Sequence, residues 1–233
     1  MHYPGTYLAG GYNRLRTEIS GRIVENESLV NLPNWLPLTF RLDSGDWFDV
    51  DAVALLSYRQ TLDLRAAVLT RELRLRDDAG RTTSVTQRRF IAMHQAHVAA
   101  LQMTVVAEDW SGTIEIRSTL DGNVANCGVE RYRELVSHHL ESLEKTELTE
   151  NSVLLTLRTR QSQIPIALAA RITVWRDEVP AVANYRLVNE EFEVGHEIFV
   201  ELIFAPGFRS FSANCTRGVQ VYAARRWSLL PTL

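Results

Sequence analysis

The chain has 233 residues, of which 45% are hydrophobic and 23% are charged, as is usual for a globular protein. The net charge of -3 gives no reason to expect a nucleic-acid or membrane partner. No run approaches the roughly 20 apolar residues that cross a bilayer, and the start MHYPGTYLAGG lacks the features of a secretion signal. We therefore expect a cytoplasmic protein.

The first third of the chain combines loop signals with short strands. Residues 1–35 are rich in Gly, Pro, Asn and Tyr and are predicted to be mostly loop. Residues 36–42 alternate apolar and polar side chains, which predicts a strand, and 43–46 form a turn before a short partner strand at 47–50. The pattern at 52–64 fits a helix or a strand, and the residues alone do not decide between them.

The clearest hairpin prediction follows. In 69–75 the residues at odd positions, Leu69, Arg71, Leu73 and Leu75, share one face of a strand, because side chains alternate with a period of two. Residues 77–80 then form a turn, and 81–93 form the returning strand. Two further strands, 98–106 and 113–120, show the same alternation.

Residues 121–150 interrupt this rhythm and are predicted to be a loop followed by a helical turn or two. Strands resume at 152–160, 164–175, 184–192 and 196–204. No amphipathic helix is sustained anywhere. The pattern predicts an all-β protein built as an antiparallel sandwich or barrel.

The segment Gly21–Arg41 contains the candidate ligand-contacting residues. Pro33 and Pro37 lie on either side of Trp35, and proline excludes a long helix or a central strand there. Asn31 and Asn34 could bond sugar hydroxyls while the Trp35 ring stacks on a sugar face, so these three residues are the predicted sugar-binding site. Residue type alone favours a structural loop with a buried tryptophan.

No other catalytic or cofactor motif is present. His94 and His97 would point to opposite faces of a strand, and the pair His138-His139 diverges in the same way, so no metal site is expected. Cys127 and Cys215 form no CxxC pair and are expected to be free thiols. No motif for a phosphate-binding loop or an activated serine occurs, and no cofactor is expected.

Six blocks of the sequence resemble glycoside hydrolase family 65, the family of maltose, trehalose and kojibiose phosphorylases. They are HYPGTYLAGGYNRL (2–15), VENESLVNLPNWLPLTFR (24–41), GDWFDVD (45–51), LLSYRQTLDLRAAVLTRELRLRD (55–77), EDWSGTIEIRSTLDG (108–122) and RTRQS (158–162). The likeness extends over about residues 1–201. It is to the family's N-terminal β-sandwich domain and not to its catalytic domain.

The resemblance implies a large antiparallel β-sandwich of the galactose-mutarotase type. Family members usually carry about two more strands before the first block, so the sandwich is expected to be incomplete at its N-terminal end. The resemblance also implies extended structure at 52–64. The family-like domain is expected at 1–205, followed by a divergent tail at 206–233.

The resemblance further implies a non-catalytic domain that supports a helical catalytic barrel and helps to form a homodimer. The family's general-acid glutamate lies in that barrel, so no catalytic residue is assigned and the chain alone is expected to be inactive. An α-linked disaccharide and inorganic phosphate would be partners only of the full-length enzyme. Two alternatives stay open, a free-standing carbohydrate-binding module and a mutarotase-like sugar enzyme with a Glu/His pair.

Overall fold

A computed structural model of the protein describes residues 11–95, 97–127, 134–177, 179–181 and 183–202, and the backbone of 219–229. Its strands are β1 (Tyr12–Ile19), β2 (Arg22–Leu29), β3 (Leu38–Leu42), β4 (Ala54–Asp63), β5 (Val68–Arg76), β6 (Thr82–Ile91), β7 (Val98–Ala107), β8 (Gly112–Asp121), β9 (Leu140–Thr149), β10 (Ser152–Thr159), β11 (Pro165–Arg176), β12 (Val179–Pro180), β13 (Asn184–Asn189), β14 (Glu193–Leu202) and β15 (Val219–Leu229). The described residues contain no helix, so none there could cross a membrane.

The strands form two stacked sheets and a separate hairpin. The large sheet has the order β4-β5-β6-β7-β15-β11-β10-β9, with β12 added beside β11, and the small sheet has the order β13-β14-β8-β3. Every paired strand is antiparallel. One apolar core lies between the sheets, with Met103, Ile114, Leu155 and Ile198 fully buried. The prediction of an antiparallel β-sandwich is therefore confirmed.

Alternation of side chains sets which face of each strand is buried. In β7 the predicted inner residues Ala99, Leu101, Met103 and Val105 are all buried. In β5 Leu73 and Leu75 are buried, whereas Glu72, which directly precedes Leu73, is exposed. These strands fit the period-two pattern because one face of the sheet packs on the core.

The prediction that residues 1–35 are mostly loop is wrong for 12–19 and 22–29, and residues 1–10 lie outside the described part. β1 and β2 form a hairpin of eight paired positions, closed by the turn Ser20-Gly21. Both turn residues have positive φ, 50° and 75°, which is the backbone of a two-residue type I′ turn. Exposed ion pairs such as Arg14–Glu27 at 2.7 Å link the two strands. The charged residues of β1 lie on one face, and polar residues such as Asn13 and Thr17 lie on the other, so the apolar–polar alternation that would have predicted this strand is hidden.

The segment 47–50 was predicted to be a strand and is instead a loop that wraps around β3. Asp43 and Ser44 both have positive φ, which turns the chain out of the sheet. Phe48 N–H then donates to Phe40 O at 2.8 Å, and the two rings stack with their centroids 5.0 Å apart. This loop covers the edge of the small sheet, which would otherwise present unpaired backbone groups.

Two other segments test predictions that were made from the sequence. Residues 54–63 form β4, as the resemblance implied, and 140–149 form β9 where a helical turn was predicted. The tail separated at residue 206 contains β15, which pairs with β7 on one side and β11 on the other. The division into 1–205 and 206–233 stays a prediction, and residues 203–218 lie outside the described part.

A buried polar cluster joins the β1–β2 hairpin to the sandwich. The Asn13 side-chain carbonyl accepts hydrogen bonds from the backbone N–H groups of Gln161 and Ser162 at 3.2 and 2.9 Å. Its amide Nδ2 lies 3.0 Å from His139 Nδ1. Because the amide nitrogen can only donate, His139 Nδ1 must be the acceptor, and the ring is neutral with its proton on Nε2.

The surroundings of His139 favour this neutral form. The ring is 2% exposed, and burial, together with the charges of Arg160 and His138, lowers its pKa below the ordinary 6.5. No hydrogen-bond partner of Nε2 occurs among the described residues. Protonation of the ring would place an unpaired charge in this cluster, so acid should loosen the attachment of the hairpin.

The alternation in β5 gives a test of the core face. We expect Leu73→Ala to lower the free energy of unfolding by about 2–5 kcal/mol, since it leaves a cavity in the core. The neighbouring Glu72→Ala, on the exposed face, should change it by about 0.5 kcal/mol or less. Urea unfolding followed by circular dichroism measures both. Similar losses in the two variants would contradict the assigned faces.

The neutral His139 predicts a pH dependence of stability. Below pH 6.5 the unfolded chain takes up a proton on this histidine while the folded chain resists it, so stability should fall as the pH falls from 7.5. His139→Gln should flatten this part of the curve, although it is less stable at pH 7.5. His94→Gln, at an exposed bend, is the matched control and should keep the wild-type slope. Parallel curves for wild type and His139→Gln would refute the assignment.

Candidate functional site

The three predicted sugar-contacting residues hold the loop between β2 and β3 in place. Trp35 is 5% exposed and packs in the core. Asn34 forms a two-way backbone bridge with Asp121, at 2.7 and 2.9 Å, and its side-chain oxygen accepts the Leu36 N–H at 3.1 Å. The buried ring and the bonded amide give both residues a structural role, as residue type alone had favoured.

Asn31 is bonded in a similar way. Its N–H donates to Asn126 Oδ1 and its amide donates to Ala125 O, both at 2.9 Å. It also lines a cavity of about 390 Å³ with Asn126 and His139. Sugar contact by Trp35, Asn31 and Asn34 stays a prediction, and the structure shows these residues engaged with their own chain.

The buried carboxylates of the small sheet are paired with arginines. Glu115, which is 3% exposed, accepts hydrogen bonds from Arg41 at 2.6 Å and from Ser44 at 3.0 Å. Glu197, which is 7% exposed, pairs with Arg186. The Arg41 guanidinium also stacks over the Trp47 ring, 4.5 Å from its centroid. These groups form a closed ionic network on the outer face of the small sheet.

The acids at the β7–β8 turn are held ionised. A hydrogen bond from Arg74 lowers the pKa of Glu108, and the backbone N–H of Thr82, 2.7 Å from Asp109, lowers the pKa of that carboxyl group. A general acid for glycoside cleavage needs the opposite shift, because it must carry a proton near neutral pH. Neither group fits that task.

The described histidines do not form an open catalytic pair or a metal site. His196 Nε2 lies 3.3 Å from Glu147 Oε1, but the ring is 2% exposed, between the sheets and against Tyr185. His94 and His97 are exposed. Within the described part of the chain, no three His, Cys, Asp or Glu side chains cluster as metal ligands.

One cleft combines open space with unusual polar residues. The inner faces of β4, β5 and β6 extend beyond the small sheet and carry Gln60, Arg71, Gln87 and Arg89. Leu36, from the loop between β2 and β3, also lines this space. We call this space, about 280 Å³ in volume, the arginine cleft.

Register places the four polar residues of the arginine cleft side by side. Gln60 is opposite Arg71 on β4 and β5, and Arg71 is opposite Gln87 on β6. Arg89 lies two residues further along β6, on the same face, because strand residues two apart share a face. Arg71 donates a hydrogen bond to Gln87 Oε1. The cleft therefore presents two guanidinium groups side by side on a rigid sheet.

The electrostatics of the cleft are one-sided. Burial, and then the charge of Arg71, lower the pKa of Arg89. Arg89 Nε is shielded from solvent and has no hydrogen-bond partner among the described residues. Within the described part of the chain, no carboxylate lines the cleft. This arrangement can bind a group of opposite charge but offers no acid to cleave a glycosidic bond.

Sequence reasoning did not identify the arginine cleft as a site. The signal was present in β5, where Arg71 occupies an apolar register between Leu69 and Leu73. An arginine on a core-facing strand face needs either a partner or an opening. The second half of the signal, Arg89, depends on the pairing of β5 with β6, which the pattern alone does not fix.

Comparison with known proteins identifies the family. A family model described as "Glycosyl hydrolase family 65, N-terminal domain" matches residues 1–206. An uncharacterized glycosyl hydrolase of Mycobacterium tuberculosis is 55% identical over 201 residues, which cover 86% of this chain and 15% of that protein. A trehalose 6-phosphate phosphorylase of Lactococcus lactis is 33% identical over 170 residues, which cover 73% of this chain and 21% of that protein.

A solved structure shares the fold. The putative kojibiose phosphorylase from the human microbiome superposes with a TM-score of 0.67 at 17% identity, over 93% of this chain and 26% of the other. The chain thus spans about a quarter or less of the length of each of these proteins. The sequence match over residues 1–206 shows that the chain belongs to glycosyl hydrolase family 65, through the N-terminal domain of that family.

Proposed function

We propose that this chain acts as the non-catalytic N-terminal β-sandwich domain of a family-65 α-glucoside phosphorylase or hydrolase. The main support is that the model of the family's N-terminal domain matches residues 1–206, while the chain spans 15% of its Mycobacterium tuberculosis relative. In this proposal the domain supports a helical catalytic barrel. An α-linked disaccharide, with inorganic phosphate in a phosphorylase, is the substrate of the whole enzyme.

The described residues support a non-catalytic role. The buried carboxylates Glu115 and Glu197 are neutralised by arginines, and the arginine cleft has no carboxylate in its lining. A mutarotase-like enzyme would need a histidine and a carboxylate that converge in an open cleft, but His196 beside Glu147 is buried. A carbohydrate-binding module would need an exposed aromatic platform, and the Trp35 ring is in the core.

We also propose that the protein acts in the cytoplasm as a homodimer, without a nucleic-acid or membrane partner. The net charge of -3 gives little repulsion between copies and little attraction to anionic surfaces. β4 is an edge strand, and all ten of its residues are exposed. Leu55, Tyr58 and Leu62 are each at least 40% exposed, and edges of this kind pair readily with another chain.

The proposal predicts that the isolated chain is inactive. Purified protein incubated with kojibiose, trehalose or maltose and phosphate should release no more glucose 1-phosphate than a heat-treated control, and no more glucose without phosphate. The reason is that the general acid belongs to a barrel that this chain does not resemble. Turnover well above the control would mean that this chain carries its own catalytic site.

The exposed β4 edge predicts association. We expect light scattering over a tenfold dilution series to show a dimer or larger species that dissociates on dilution. Leu62→Lys, which puts a charge on that edge, should shift the population towards the 26.5 kDa monomer. Ile23→Lys, at another highly exposed apolar position but on the β1–β2 hairpin, is the control and should not. A monomer at every concentration would exclude the homodimer.

A further inference from the structure

We propose that the arginine cleft is a binding site for an oxyanion, the phosphate or carboxylate group of a small organic molecule. This proposal rests on the side chains of this chain and does not depend on the function proposed above.

The polar groups left free in the cleft are donors. Tyr58 Oη donates to Gln60 Oε1 at 2.9 Å, which leaves the NH₂ group of Gln60 as its free part. Gln87 uses its oxygen to accept from Arg71, and its NH₂ group lies 3.5 Å from Met103 Sδ. The guanidinium groups of Arg71 and Arg89 can only donate. A site that offers donors and positive charge selects a ligand group that accepts hydrogen bonds and is negatively charged.

The described residues supply no carboxylate beside these two arginines. The sequence has 28 acids, and all except Glu130 and Glu178 are among the described residues. None of the described acids lines the cleft. Residues 1–10 and 203–233 contain neither Asp nor Glu. Arginine pairs held on one face without an acid are unfavourable by themselves, and an anion from outside would relieve the repulsion.

The arrangement is also rigid before any ligand arrives. Arg71 and Arg89 project from the paired strands β5 and β6, and Gln87 fixes the Arg71 guanidinium by a hydrogen bond. Such pre-organisation reduces the entropy that a ligand must overcome. In contrast, arginines elsewhere in this fold, such as Arg41 beside Glu115, already have a carboxylate partner within the chain.

The walls indicate the size and nature of the ligand. Leu36, Leu69 and Leu101 line the cleft beside the guanidinium groups, so the body of the ligand meets apolar side chains while its charged group meets the arginines. The volume of about 280 Å³ lies at the lower end of ligand pockets. A small ring with one phosphate or carboxylate group fits this description, whereas a polymer does not.

The test measures binding of four probes to the whole chain by calorimetry in a buffer without phosphate or carboxylate. The probes are inorganic phosphate, glucose 6-phosphate, glucuronate and neutral glucose. We expect at least one anion to bind at least about tenfold more tightly than glucose, since contacts to charged groups are the stronger ones. The strongest probe identifies the source of the oxyanion: the free ion, a sugar phosphate or a sugar acid.

Variants show whether the arginine cleft is the place of binding. Arg71→Gln combined with Arg89→Gln should weaken the anion about tenfold or more, and Arg59→Gln, on the exposed opposite face of β4, should not. Arg59 lies opposite Glu72 in the register of β4 and β5. Its substitution therefore removes one positive charge from the same sheet without changing the cleft. Binding that glucose matches, binding unchanged in the double variant, or no binding of any anion would overturn the proposal.

Stability in the absence of anion separates a binding role from a structural one. If Arg89 is kept for a ligand, Arg89→Leu should raise the melting temperature in anion-free buffer, because it removes a shielded charge without a counter-ion. The anion that binds wild type should then raise the melting temperature of wild type and not of Arg89→Leu. A lower melting temperature of Arg89→Leu in anion-free buffer would show that Arg89 stabilises the fold and would count against the site.

Discussion

The two sheets of this sandwich differ in width, and most features of the molecule follow from that mismatch. Eight strands lie in one path in the large sheet, but the small sheet has four strands to cover their inner face. β14 packs over β9 and β10, and β8 packs over β11. The inner face on the β4 side must therefore be covered by loops or stay open, because an apolar sheet face needs a partner layer.

The chain solves this problem in two ways on neighbouring parts of the same strands. Leu75 meets the loop that carries Phe48 and Val53, so that part of β5 is apolar and buried. Four residues earlier in the strand, at the arginine cleft, the inner residue is Arg71. Among the described residues, the change from leucine to arginine along this strand coincides with the opening of the cleft. The open part is polar as a consequence of this geometry and is not a gap in the core.

How much the sequence predicted depended on how the chain encodes each feature. The alternation in β5 and β7 gave the buried faces correctly, since burial on one face leaves a period of two. The hairpin of β1 and β2 was missed because polar residues, including the buried Asn13 and Thr17, occupy both faces of β1 and hide that period. The prediction of a strand at 47–50 was wrong because Asp43 and Ser44 turn the chain out of the sheet, and no composition pattern reveals their positive φ.

The site was harder to predict than the fold for a physical reason. A tryptophan between prolines resembles a ligand platform, but Trp35 gains more from burial in the core than from exposure. The arginine cleft needs two strands in one register, and each arginine alone is an ordinary residue of an arginine-rich chain. Pairing between β5 and β6 turns two unremarkable positions into one concentrated charge.

The position of β15 has a consequence for the order in which the chain can fold. This strand is the last in sequence, yet it lies in the interior of the large sheet, between β7 and β11. During synthesis the segments that become β7 and β11 leave the ribosome well before their common neighbour, and until then each has an unpaired side. More than 100 residues separate β7 from β15 in sequence, so this pairing closes a long loop and forms slowly. The two halves of the large sheet therefore join through β15 only after that strand has been made.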